Sequence, residues 1–264
     1  MGIISILDNK PKCSMNLLLL SSSKVGETDY LSHAIPLIRE FLDSQNSAIS
    51  NILFIPYAGV TIDYDDYQNR VSEALSPLNA KITSLHQYST NNDGLLIKQI
   101  IEADCILVGG GNTFELLKKL YDLDILDTLN REIKSGKPYI GWSAGSNIAG
   151  ESIKTTNDMP IVEPPSFNAL NLIPYQLNPH YIESNPKGHN GETRQQRLEE
   201  YLVANPTGKV IAIPEGTALK CTDNSIVYIE GSQKNTLAYI FTAKGKESVV
   251  TQTNILPILE NTSN

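Results

Sequence analysis

The sequence predicts an α/β fold, a mostly parallel sheet with helices on both faces. Three observations point there. Short apolar runs recur along the first 145 residues without alternating with polar ones, as strands buried on both faces do. Stretches with the apolar spacing of helices separate them. The runs close on glycine, serine or proline, residues that turn a chain.

In order, "MNLLLLSSS" (15–23) reads as a first buried strand and 30–45 as a helix. "NILFIPYAG" (51–59) is the second strand, followed by a helix over 64–78. "KITSLHQY" (81–88) is the third strand, with a helix over 94–103. "CILVGGGN" (105–112) is the fourth, followed by helical material over 113–136, and "PYIGWSAG" (138–145) is the fifth. Segment 156–192, rich in Pro, Asn and Gly, reads mostly as loops, where sites are often assembled. A helix over 191–205 and a strand over 209–216 follow, and 225–245 reads as two antiparallel strands joined by a turn. The expected organisation is an N-terminal extension (1–14), a single domain (15–250) and an accessory C-terminal tail (251–264).

Composition narrows the function. At 264 residues, 41% hydrophobic and 19% charged, the chain has ample material for a core. A net charge of −8 argues against a nucleic-acid partner, since phosphate binding wants a basic surface. No apolar run approaches the roughly 18 residues of a membrane span. Gly2 would invite N-myristoylation, but Ile6 stands where that pattern wants Ser or Thr. Cys13, Cys105 and Cys221 are odd in number and far apart, which suggests neither disulfides nor zinc, and Cys105 reads as a plain buried thiol. A cytoplasmic, reducing location is the expectation.

The chemistry centres on "PYIGWSAGSN" (138–147). A G-x-S-x-G between a buried strand and a helix is a nucleophile elbow: Ser143 takes a strained backbone, and side chains at Gly141 and Gly145 would collide there. The amide of Ala144 then faces developing negative charge. "VGGGNTF" (108–114) ends another strand, and its glycines let further amides approach a ligand. No Lys-Ser/Thr follows, so a phosphate loop is disfavoured. A serine nucleophile needs a base. His33 reads as structural, His86 lies in a strand, and His189 has no evident orienting partner, whereas His180 in "QLNPHY" follows a stiffening proline. A carboxylate must hold the far imidazole nitrogen. Asp158 and Glu215 both sit at loop or strand ends, and spacing does not choose between them. An α/β-hydrolase is a poor fit, because that fold usually sets its histidine near the C-terminus.

The stretches "LLLLSSS", "FIPYAGVT", "ILVGGGNTFELL", "YIGWSAGSN", "TTNDMPIV", "LNPHY", "GHNGETRQQR" and "IPEG" occur in an order that resembles peptidase E, the α-aspartyl dipeptidases, over roughly residues 16–245. The resemblance implies a class I glutamine amidotransferase-like, flavodoxin-like sandwich with serine in place of the elbow cysteine. It implies Ser143 as nucleophile, His180 as base and Asp158 or Glu215 as the orienting acid. Gly110, Gly111 and Ala144 would form the oxyanion hole, with Arg194 holding the substrate's aspartate side chain. It implies hydrolysis of small acidic dipeptides (Asp-X) with no metal or organic cofactor and no nucleic-acid or membrane partner, by a monomer or homodimer. The competing readings are a cyanophycinase-like hydrolase of β-linked Asp–Arg peptides and a catalytically silent binding protein.

Overall fold

A computed structural model describes residues 15–88, 93–185, 188, 190–231 and 235–261. The run of leucines after Asn16 forms β1 (Asn16–Leu20), and β2 (Asn51–Ile55), β4 (Cys105–Val108) and β5 (Tyr139–Trp142) are equally buried. Successive side chains on each strand enter different cores. Leu17, Leu19, Leu53, Ile55, Ile106, Val108 and Tyr139 join one cluster, and Leu18, Leu20, Ile52, Phe54, Leu107, Ile140 and Trp142 the other. Burial on both faces is why the sequence shows no alternation.

With β3 (Lys81–Ser84) these strands form the parallel part of a seven-stranded sheet, ordered β3-β2-β4-β5-β1 and completed by β8 (Ala218–Thr222) and β9 (Ser225–Ile229), both antiparallel additions. Helices α1 (Ile35–Asp43) and α2 (Tyr64–Ala74) cover one face through Ile38, Phe41, Tyr67 and Val71. The other face receives α3 (Asp93–Glu102), α4 (Thr113–Asp122) and α5 (Leu126–Lys134).

A second sheet, ordered β11-β10-β7-β6, joins that second core through Leu177, Ile211, Ile213 and Ile240. It consists of β6 (Gln176–Pro179), β7 (Val210–Ile213), β10 (Ala238–Thr242) and β11 (Gly245–Val249). Strands β6 and β7 run parallel, and α7 (Arg194–Ala204) packs Leu198 and Leu202 on the outer face.

The sequence expectations need several corrections, among them that the helix expected over 64–78 ends at Ala74 before a 3-10 turn at 76–78 and that the loop-rich segment 156–192 contains β6. The material over 113–136 is two helices, parted near Asp124, whose φ is 51°. Only 81–84 of the third strand is extended, and 85–87 forms a 3-10 turn. The expected hairpin over 225–245 does not exist: β9 pairs with β8 and β10 with β7 and β11, in different sheets. The C-terminal segment is no loose tail, because α8 (Leu256–Asn261) follows a fully buried Ile255 and contributes a fully buried Leu259. The 1–14 extension lies outside the described residues.

Candidate active site

The parallel strands deliver their C-terminal ends to one edge of the sheet, where open α/β sheets bind ligands. Ser23 after β1, Ala58 and Gly59 after β2, Gly110 to Asn112 after β4 and Ser143 after β5 line one cavity of about 580 Å³, with His180 in its wall. The second sheet brings His180 from the end of β6 and Glu215 from the turn after β7. That turn also joins the two sheets: Ser21 N–H donates to Thr217 O (2.8 Å) and Gly216 N–H to Ser22 Oγ (2.9 Å).

Ser143 sits at φ 53°, ψ −111°, a costly backbone for a non-glycine residue that surrounding structure must enforce. Both elbow glycines are there for closeness. A Cβ on Gly141 would lie 2.6 Å from the Gly145 carbonyl, and one on Gly145 would lie 2.3 Å from Val108 O. The following helix, α6 (Ala144–Asn147), is a single turn, so what it offers an anion is individual amides rather than a sizeable macrodipole.

His180 also has positive φ, 56°, and its N–H donates to Ser21 Oγ (2.9 Å), which in turn donates to Ile213 O (3.0 Å). Ring Nε2 lies 2.8 Å from Ser143 Oγ, and Nδ1 lies 3.0 Å from Glu215 Oε1. An ionised carboxylate only accepts, so Nδ1 carries the proton and Nε2 is left free to accept the serine hydroxyl's. The side chains of His180 and Glu215 are 33% and 54% exposed, so solvent screens this pair and it orients more than it stabilises.

Asp158, the other candidate acid, is elsewhere. Its Oδ2 accepts from Thr113 N–H (2.8 Å) and Thr113 Oγ1–H (2.5 Å), anchoring the loop after residue 155 to the start of α4. Asn112 Nδ2 donates to Met159 O (2.8 Å) across the same junction. Asp158 thereby braces the glycine loop. Of the two acids left open by the sequence, only Glu215 touches His180.

The triple-glycine loop abuts the serine. A Cβ on Gly110 would lie 3.1 Å from Ser143 Cβ, and Gly111, at φ 139°, leaves room for none, since Ala58 O would be 2.1 Å away. The N–H groups of Gly110, Gly111 and Ala144 find no acceptor among the described residues. Tyr67 Oη–H donates to Gly110 O (2.8 Å), turning the carbonyl rather than the amide of that peptide toward α2. Burial, with the neighbouring Tyr30 phenol, holds the Tyr67 pKa well above its ordinary value, so it stays a donor.

Arg194 is the first residue of α7, whose N-cap Thr193 forms a capping box with Gln196. Its Nε is buried without a partner, and it makes no hydrogen bond or ion pair with the described residues. Burial and then Arg197 push its pKa down, while Asp158 and Glu215 act in the opposite sense.

The remaining histidines stand apart. His86 bonds Ser84 Oγ (2.6 Å) and Asp65 Oδ1 (3.0 Å), and His33 lies in a 3-10 turn with its pKa lowered by burial. His189 lies outside the described residues. Cys105 is fully buried, as expected, with its thiol pKa raised by that burial, and Cys221 is likewise buried and pushed up to about 12. No helix among the described residues is long and apolar enough to cross a membrane. Sequence reasoning missed Ser21, Tyr67 and Thr113. The serine triplet closing a buried strand was a signal for the first, while a tyrosine at core spacing on a helix gives none for the second.

Comparison with known proteins returns the same region. Residues 17–229 match the family model Peptidase family S51. The chain is 51% identical over 234 residues to a Peptidase E of Shewanella denitrificans, covering 89% of this chain and 94% of that one. It is 50% identical to a Peptidase E of Pasteurella multocida over 84% of this chain and 88% of that one. Among solved structures, a putative Peptidase E protein from Listeria monocytogenes superposes with a TM-score of 0.63 at 26% identity, covering 82% and 98% of the two chains. A peptidase from an acI-B1 Actinobacterium superposes at 0.66 over 92% and 98%, and at 16% identity it speaks for the fold alone.

Proposed function

The chain belongs to peptidase family S51, and on that premise we propose that it is a serine-dependent dipeptidase that releases N-terminal L-aspartate from Asp-X through an acyl-enzyme. The observation that carries the specificity is Arg194, a half-buried guanidinium whose Nε has no partner and whose charge is balanced only by the more distant carboxylates of Asp158 and Glu215. A planar fork of donors left open in this way suits a carboxylate, which it can grip with two parallel hydrogen bonds.

In this reading the aspartate side chain enters at Arg194. His180 Nε2 takes the Ser143 proton as Oγ attacks the aspartyl carbonyl carbon, and the C=O pair moves onto oxygen. The oxyanion is held by the N–H groups at Gly110–Gly111 and Ala144, each such donor contributing roughly 3–4 kcal/mol. The tetrahedral intermediate collapses as His180 gives its proton to the leaving amine and the C–N bond breaks. Water, deprotonated by the same imidazole, then attacks the ester and frees aspartate and Ser143. Glu215 holds Nδ1–H throughout. The enzyme works as a monomer or homodimer on a small acidic peptide, and its free, buried thiols suit the cytoplasm.

The test is turnover of Asp-Leu against Asn-Leu, Glu-Leu, Leu-Asp and a β-linked aspartyl-arginine. Asp-Leu should exceed Asn-Leu in kcat/KM by at least about 100-fold, because the uncharged amide leaves the guanidinium unpaired. Equal rates on the two would end carboxylate recognition, and preference for the β-linked peptide would favour the cyanophycinase-like alternative. Two variants separate the acids. Glu215→Gln lets the imidazole take the wrong tautomer and should lower kcat by about 10²-fold, less than a buried triad acid would because water replaces part of the contact. Asp158→Asn should cost less in kcat and show its effect in the stability of the α4 start. Full kcat in the first with loss in the second reverses the assignment.

A further inference from the structure

The cavity beside Ser143 has a guanidinium that the mechanism leaves idle. Arg70, on α2, lines it together with Tyr30, Tyr67, Trp142 and the glycine loop, whereas Arg194, Asp158 and Glu215 do not. Arg70 therefore belongs to this cavity's wall and Arg194 does not. Arg70 makes no hydrogen bond or ion pair with the described residues, although Asp66 stands one helical turn before it and Glu73 one turn after. Its guanidinium stands over the Tyr30 ring, 5.9 Å from the centroid. That ring stands edge-on to Trp142 at 6.3 Å, and Trp142 immediately precedes Ser143. Tyr30 is itself fixed by its phenol, which lies 3.3 Å from that of Tyr67. Two ring contacts thus link the cation to the residue beside the nucleophile.

The substrate chemistry says what such a cation would meet. With aspartate held by Arg194, outside this lining, the cavity is left for the residue after the scissile bond, which in a dipeptide ends in a free α-carboxylate. One residue spans only about 3.3–3.6 Å, so that carboxylate cannot stray far from Ser143. About 580 Å³ holds a small ligand, and Val60 and Ile161, each 53% exposed, offer an apolar wall to its side chain. Resting on the aspartyl dipeptidase reading above, we propose that Arg70 receives the C-terminal carboxylate of the leaving residue and so makes this active site select dipeptides over longer chains. A third residue would turn the carboxylate into an uncharged amide and leave the guanidinium unpaired.

The experiment compares Asp-Leu with its C-terminal amide, Asp-Leu-NH2, in wild type, Arg70→Gln and Arg70→Lys. Wild type should favour the free acid in kcat/KM by about 10- to 100-fold, the worth of a charge-assisted contact at a partly solvated site. Arg70→Gln should bring that ratio to near unity, with the loss falling on the free acid, and Arg70→Lys should restore part of it. Arg70 is exposed on its helix, so the variants should fold, and an unchanged thermal midpoint verifies this. A ratio near unity in wild type, or a wild-type ratio retained in Arg70→Gln, overturns the assignment while leaving the dipeptidase reading standing. Failure of wild type to cut either peptide removes both.

Discussion

Replacing Ser143 by alanine should lower kcat on Asp-Leu by at least about 10⁴-fold, the loss seen when a member of a serine–histidine array acting as a unit is removed. The expectation rests on the 2.8 Å contact between Ser143 Oγ and His180 Nε2, the one hydroxyl bonded to that nitrogen among the described residues. Ser143 is the residue held at the strained elbow, and the constraints that hold it belong to Gly141, Gly145 and the Ser143 N–H bond to Leu20 O (3.2 Å). None of these involves the hydroxyl. The alanine variant should therefore keep the wild-type melting temperature to within a few degrees while losing turnover. A second readout separates nucleophile from bystander: acid-quenched wild type should carry an aspartyl adduct at Ser143 by intact mass, and the variant should carry none. Retained turnover with a correctly folded variant would exclude Ser143 as the attacking group.

How much of this was legible in the sequence follows from where the information lies. Four of the five parallel strands announce themselves because burial on both faces demands unbroken apolar runs such as "NLLLL" and "CILV", whereas β3, "KITS", is a partly exposed edge strand. Strand β6 reads "QLNP", half polar, because its Gln176 and Asn178 are buried in side-chain hydrogen bonds to Ser152 and to Thr155 O rather than in an apolar core. Strand β11, "GKESV", is an exposed edge whose charges protect it from pairing with another chain, and those same charges hide it from a hydropathy reading. The false hairpin over 225–245 came from assuming that neighbours in sequence pair in space, which the crossing between sheets breaks.

The site divides in the same way. Ser143 and His180 could be read because each carries its local reason, an elbow or a proline-stiffened strand end. The choice between Asp158 and Glu215 could not, since it depends on β7 lying beside β6 and on Thr113 capturing Asp158 from 45 residues away. Tyr67 and Arg70 were invisible for a related reason. They sit on α2, far upstream of the elbow, and only the β2–β4 adjacency brings that helix to the glycine loop.

Arg194→Met should lower kcat/KM for Asp-Leu by about 10²- to 10³-fold, with Asn-Leu barely affected, so that discrimination between the two collapses. Methionine keeps the stem's packing and removes only the charge and the donors. The sign of the accompanying stability change distinguishes a recognition residue from a structural one. A cation in the first turn of a helix opposes the macrodipole, an unfavourable placement of a few tenths of a kcal/mol or more. The buried Nε donor without a partner adds a further cost, about 1–3 kcal/mol for a group fully denied hydrogen bonds. The attraction of Asp158 and Glu215 works against both, but neither carboxylate reaches Arg194 closely enough to form an ion pair. The balance predicts that Arg194→Met is as stable as wild type or slightly more so in urea unfolding, even as activity on Asp-Leu falls, the trade expected where a site is kept for function at the expense of the fold. Arg194→Lys, which keeps the charge but not the planar fork, should recover only part of the loss. A marked drop in stability together with parallel losses on Asp-Leu and Asn-Leu would instead make Arg194 a brace for the start of α7, and the carboxylate pocket would have to be sought elsewhere.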